Sequence, residues 1–155
     1  MSSQRRRGPI SSGPDATLTT NALGACVSLY VDTFSAPPWN ESWSAVDAAQ
    51  RLGDILAIPR AHGVCLWDPA GELLGFALGH LERSAGDDHF LLKEMCVRAG
   101  VQRCGHGTRL LQALADQLGD VRHWYLLTAR DGDASAFYER NGFRPAARMG
   151  VFVRP

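Results

Sequence analysis

Several features that would assign a function outright are missing from this chain. Acidic and basic residues balance at sixteen each, so there is no electrostatic footprint for nucleic acid or an anionic membrane, and any acidic ligand must be held by local geometry. No apolar run approaches the roughly 20 residues of a membrane-spanning helix. The N-terminal arginines have no apolar segment behind them to make a signal peptide. The four cysteines, Cys26, Cys65, Cys96 and Cys104, show no Cys-x-x-Cys spacing and lie in or beside apolar stretches, which argues against a metal site and a disulfide framework. A cytoplasmic protein without metal, nucleic-acid or membrane partners is expected. No repeat or linker divides the chain, and 155 residues suit one domain with one core.

Glycine is concentrated where it carries the most information. From Leu91 to Leu111 a β-rich apolar run gives way to a polar turn, then to Gly105-His106-Gly107, then to apolar residues at helical spacing. A strand, a glycine loop and a helix start expose unpaired N–H donors at the positive end of a helix dipole, which favours an anion such as phosphate. Two phosphate loops are excluded by what is absent. Gly100 and Gly105 have Walker spacing, but His106 and Gly107 stand where Lys and Ser or Thr are required. A dinucleotide fingerprint needs a third glycine where Leu110 sits.

What is left, Gln102-Arg103-Cys104-Gly105-His106-Gly107, resembles the Gln/Arg-x-x-Gly-x-Gly/Ala pyrophosphate loop of the GCN5-related N-acetyltransferase (GNAT) superfamily. The preceding Glu94-Met95-Cys96-Val97 is similar to that family's fourth strand. A second segment, Asp131-Gly132-Asp133-Ala134-Ser135-Ala136-Phe137-Tyr138 through Gly142-Phe143, resembles the family's Asn-x-x-Ala-x-x-x-Tyr-x-x-x-Gly-Phe stretch, one strand and one helix downstream. Two motifs in the right order carry far more weight than either alone.

The rest of the chain supplies the context. Residues 1–16, rich in Ser, Gly, Pro and Arg, read as a flexible tail, and 17–155 as one domain. The family's first strand would have to be short or missing, since only Ala16-Thr17-Leu18-Thr19 could serve. Leu23, Cys26, Val27, Tyr30, Val31 and Phe34 mark a helix capped by Thr20 or Asn21. A proline loop with Trp39 and Trp43 follows, the tryptophans either lining a groove or packing on the core. A second helix, capped by Ser42 or Ser44, should bury Val46, Ala49, Leu52, Ile55 and Leu56. A hairpin of 63–67 and 73–81, a polar loop from Glu82 to Asp88, and a strand from Phe90 to Val97 come next. After the Gly105 to Leu118 helix, Val121 to Thr128 is a strand, Ala134 to Glu139 a helix ended by Asn141-Gly142, and Phe143 onward the closing strand or strands. This order predicts an α+β fold with a mixed, mostly antiparallel central sheet flanked by helices.

The resemblance implies acetyl-CoA as co-substrate and direct transfer of its acetyl group to an amine. Tyr138 matches the tyrosine that protonates the departing sulfur, and a phenol is an acid at neutral pH. Glu94, a carboxylate in an otherwise apolar strand, is the leading base. The backbone at Met95, Cys96 and Val97 would pair with the pantetheine amides. Cys96 itself reads as apolar filler, because nothing nearby lowers its pKa. Gln102, Arg103, Cys104, Gly105, His106, Gly107 and Thr108 would cradle the pyrophosphate, with Asp131, Ala134 and Phe137 also at the cofactor. Asp131 departs from the family's usual Asn and loses an amide donor. Arg98, Arg109, His80, His89 and His123 read as ordinary surface or core positions.

The acceptor groove would be walled by the Leu23 to Ile58 helices, the Arg83 to His89 loop and the C-terminal strand. Asp32, Glu41, Asp47, Asp87 and Asp88 make it mildly acidic, as a cationic small-molecule amine would need. A protein N-terminus or lysine is the alternative acceptor, and a silent acyl-CoA-binding sensor the alternative to an enzyme. Val151 and Phe152 on a closing strand would either pair two copies as a homodimer or join the edge of this chain's own sheet.

Overall fold

A computed structural model describes residues 16–155. The expected tail, 1–16, lies outside the described residues except for Ala16, which opens a strand. That strand, β1 (Ala16–Thr17), is two residues long and pairs with Cys65 and Val64. It is short, as the scarcity of β-formers there implied, and Leu18 extends it by donating to the Gly63 carbonyl at 2.9 Å.

A 3-10 turn at Thr20–Ala22 leads into α1 (Leu23–Ser35), whose N-cap is Ala22 with no side-chain bond. Neither Thr20 nor Asn21 caps the helix, because both are spent in that turn. The buried face holds Cys26, Leu29, Tyr30 and Thr33. In α2 (Ala45–Leu56) Ser44 is the N-cap, accepting from the Asp47 N–H at 3.0 Å. Ala48, Leu52 and Ile55 face the core, while Val46, expected inside, is 78% exposed in the first turn. Trp43 lies edge-on to Tyr30 at 5.0 Å and Trp39 edge-on to Phe34 at 5.1 Å, so both pack the loop onto α1.

The strands β2 (Ala61–Trp67), β3 (Leu73–Ser84) and β4 (Asp87–Val97) form an antiparallel meander. Glu82 to Asp88 is not a loop. Arg83 pairs with Asp88 and Ser84 with Asp87, so β3 and β4 meet at a two-residue Ala85-Gly86 turn, with φ of 38° and 96°, the left-handed geometry of tight hairpins. Helix α3 (His106–Leu118) crosses to β5 (His123–Leu126), parallel to β4, and α4 (Asp133–Arg140) follows. The strand order is β1-β2-β3-β4-β5. This is the α+β fold with a mixed, mostly antiparallel sheet.

Each face of the sheet carries a core. Cys26, Leu29, Leu52, Cys65, Phe76 and Cys96 close one under α1 and α2. Val64, Leu66, Ala77, Phe90, Leu110 and Leu114 close the other under α3. β4 serves both because its register slips: Leu78 opposes Glu94 and Gly79 opposes Leu92, leaving Lys93 as a bulge. A strand alternates faces, so the extra residue changes parity. Leu92 packs under α3, whereas Glu94 and Cys96 turn toward α1 and α2. Gly79 makes the slip fit, for a Cβ there would lie 2.1 Å from the Leu91 carbonyl oxygen.

The closing strand expected from Phe143 is absent among the described residues; 141–155 carry only turn and irregular backbone. Phe143 itself is tied to α4. The Gly142 N–H bonds the Glu139 carbonyl and the Phe143 N–H the Tyr138 carbonyl, with Gly142 at φ 90°, a Schellman cap. Beyond it Met149, Val151, Phe152 and Val153 are exposed.

Candidate active site

β5 pairs with β4 only from His89 to Leu92, and β4 runs on to Val97. Pairing therefore stops at the residue before the bulge, and among the described residues the backbone of Met95, Cys96 and Val97 has no strand beside it on that edge. Such an edge can accept an extended amide-bearing ligand as an added strand. At its end the Gln102 Nε2 donates to the Val97 carbonyl at 3.1 Å, fastening the loop to the strand.

The loop then winds through left-handed backbone at Gly100 (φ 88°), Arg103 (φ 67°) and Gly105 (φ 80°). Gly105 is the N-cap of α3, and the Arg109 N–H makes the first helical bond back to its carbonyl. The N–H groups of His106, Gly107 and Thr108 are thereby left without helical acceptors, in a concavity suited to an anion. The His106 Nδ1 is a buried nitrogen without a partner at the same place. These features fit a pyrophosphate. Arg103 also reaches Asp133 at 3.7 Å, joining the loop to the start of α4.

α4 brings the second motif to the same edge. Phe137 lies over Gly107, where a Cβ would sit 2.8 Å from its ring. The Tyr138 hydroxyl donates to the Met95 Sδ at 3.8 Å. Burial first, and the Glu94 charge second, push the Tyr138 phenol up to about 12, so it keeps its proton at neutral pH. Asp131 and Ala134 are exposed around the helix start, and Cys104 is exposed in the loop. Gln102 through Thr108, Met95 through Val97, Phe137 and Tyr138 are thus brought to one edge.

Glu94 lies across the strand from Tyr138. It is 8% exposed, ion-paired with the Arg51 Nε, and accepts from the Tyr30 hydroxyl at 3.3 Å. Desolvation raises its pKa above the ordinary carboxylate value, and the Arg51 and Tyr30 bonds offset this only in part. Arg51 is held in turn over the Trp43 ring at 5.9 Å. Tyr30 and Arg51 are the site residues that sequence reasoning missed. They lie 64 and 43 positions from Glu94, on helices whose spacing speaks only of burial.

Cys96 is buried and, by desolvation, pushed up to about 12, an inert thiol. Arg98 is engaged by the Leu73 carbonyl and by Glu72 at 3.5 Å. An open groove of about 520 Å³ runs along α2, lined by Asp47, Gln50, Arg51, Asp54 and Lys93. Asp87 and Asp88, expected beside it, stand at the far end of β4, with Asp88 bound by Arg60 and Arg83. The Arg83 to His89 segment walls no groove as a loop, because it is hairpin.

The acetyltransferase (GNAT) domain family matches residues 59–145. No curated protein matches the sequence. Among solved structures the chain is similar to a probable acetyltransferase, at 19% identity and a TM-score of 0.74 over 90% of this chain and 95% of that one. It is similar to an acetyltransferase of Trypanosoma brucei, at 19% identity and 0.64 over 89% and 96%. An aminoglycoside acetyltransferase from an uncultured soil metagenomic sample, in complex with sisomicin, matches at 13% identity and 0.65 over 90% and 92%. These likenesses establish the fold. The family match takes in more than half of the chain, from β2 through α4, and the protein belongs to the GNAT acetyltransferase family.

Proposed function

We propose that this acetyltransferase transfers the acetyl group of acetyl-CoA to a primary amine of a small molecule, by direct attack in a ternary complex. The observation that carries this reading is the gap beside Met95 to Val97, floored by the left-handed loop and bordered by Tyr138.

Each residue then has a task. Backbone groups of Met95, Cys96 and Val97 align the pantetheine arm, and a strand N–H polarises the acetyl carbonyl. Loop N–H groups from Gln102 to Thr108, with Arg103, hold the pyrophosphate; Asp131, Ala134 and Phe137 border it. Acetyl-CoA supplies the activated thioester. Tyr138 gives its phenolic proton to the departing sulfur, and Glu94 takes a proton from the ammonium directly or through one water. Arg51 and Tyr30 aim that carboxylate. The groove along α2 leads to Arg51, has a volume within the range of small-ligand sites, and offers Asp47 and Asp54 to a cation. Its openness favours, as a second reading, a lysine or N-terminus of a protein.

The test is release of free thiol from acetyl-CoA over polyamines, aminoglycosides, amino acids and short peptides. Turnover with one amine class, lowered about 10²-fold or more by Tyr138→Phe, is the expected outcome. Turnover with peptides alone moves the acceptor to protein. Acetyl-CoA binding without turnover on any amine replaces the enzyme reading with a sensor, and no binding at all removes the assignment of the loop.

A further inference from the structure

A second cluster of chemistry-bearing side chains lies away from the transfer site. Asp87 and His89 are two residues apart on β4 and so share a face. His123 opens β5 and stands in register with His89, with the two rings 5.0 Å apart. One ligand atom from each of Asp87, His89 and His123 falls within 4.8 Å of the others, the one such cluster among the described residues. The His123 Nε2 is 3.7 Å from the Asp87 Oδ2, while the Asp87 Oδ1 accepts from the Asp88 N–H at 2.9 Å. One carboxylate oxygen is thus used to fix the side chain, and the other is turned toward the imidazoles. Arg60 and Arg83 pair with Asp88 rather than with Asp87.

We infer that Asp87, His89 and His123 form a binding site for a divalent transition-metal ion of zinc type. Two imidazole nitrogens and one carboxylate oxygen are a donor set for Zn²⁺, Ni²⁺ or Cu²⁺ rather than for Mg²⁺ or Ca²⁺, which take oxygen. Ligand atoms around a tetrahedral zinc lie about 3.3 Å apart, from bonds near 2.0–2.1 Å. Closing from 4.8 Å to that spacing needs only side-chain rotation, and Asp87 and His123 are exposed enough to rotate. Water completes the coordination.

The place of the site says what the ion does. His89 precedes Met95 by six residues, about 20 Å along a strand, so the ion takes no part in acetyl transfer. It joins the first residue of β5 to the start of β4, where the edge strand is held by only four residue pairs. The cation clasps the edge strand at the end opposite the gap, and its binding stabilises the folded chain by mass action.

The test uses the full chain without a histidine tag, titrated with Zn²⁺ alone by calorimetry, with the thermal midpoint measured alongside. One ion per chain is expected, with a dissociation constant on the order of 1–10 µM. At a hundredfold excess over that constant the midpoint should rise by about 5–10 °C. His123→Ala and Asp87→Asn should each weaken binding at least tenfold and abolish most of the rise, while the metal-free midpoint stays put. Cobalt substitution should give a spectrum without thiolate charge transfer, separating this site from the exposed Cys104. Binding weaker than about 100 µM, or binding unchanged in both variants, would overturn the site.

Discussion

In the proposed reaction Glu94 and Tyr138, on opposite faces of one strand, are given different tasks by their surroundings. Both are desolvated, but desolvation makes a carboxylate a stronger base and leaves a phenol a weaker acid that never loses its proton near neutrality. For Glu94 the sign of the effect can be followed. Its folded pKa is raised above the ordinary value of 4.5, so the folded state holds the proton more tightly than the unfolded chain. Its contribution to stability is present at low pH and lost as pH rises from 4.5 through the raised folded value. In the proposed reaction activity runs the other way, because a carboxylate acting as base must be ionised. kcat/KM is expected to fall as pH drops below the raised value, and Glu94→Gln should remove that acidic limb together with most of the rate. Tyr138, at about 12, should impose no alkaline limb below pH 11. A wild-type acidic limb that survives in Glu94→Gln would assign the base elsewhere.

Helix α3 and helix α4 meet through the absence of one side chain. Phe137 occupies the space a Cβ on residue 107 would need, and Tyr138 is the next residue on the same short helix. Gly107→Ala should therefore shift α4, costing about 1–3 kcal/mol in urea unfolding and lowering turnover by moving the phenol off Met95. Phe137→Leu in the same chain should recover most of the stability, and additive losses in the double variant would refute the contact. Elements of this kind were legible to different degrees. The loop and the α4 motif could be read because glycine and tyrosine spacing is local, and the Schellman end at Gly142 likewise. The meander was legible from its apolar runs. The Glu82 to Asp88 segment is hairpin where its composition implies a loop, because polar residues on an exposed hairpin look like a loop, though Ala85-Gly86 alone turns the chain. Val46 is exposed despite its place in the apolar stripe, because helix periodicity does not say which turn hangs over solvent. Arg51 and Tyr30 were invisible as partners of Glu94, since only the packing of α1 and α2 on β4 brings them there. The closing strand failed for a related reason: apolar residues near Val151 could fill a strand, but nothing local supplies the partner edge.

That missing partner governs the molecule as a whole. Among the described residues β5 is an edge, and Met149, Val151, Phe152 and Val153 stand outside both cores, Phe152 at 97% exposure. Unpaired edges and exposed apolar runs invite association, so the chain is expected to form a homodimer through this segment. Truncation after Pro145 should leave a monomer in sedimentation equilibrium with the thermal midpoint of the monomeric fold intact. A wild-type chain that stays monomeric at tens of µM, where a stable homodimer would associate, would reject the pairing. Lys93 is the supernumerary residue of β4, so in-frame loss of its one codon would keep Leu92 under α3 and Glu94 under α1 and α2, with the pleat unbroken. Both cores would survive such a deletion, while the irregularity that follows the last β4–β5 pair would be lost. A lineage would thus straighten the strand behind the proposed cofactor cleft in a single mutational step and go on inheriting a well-folded protein.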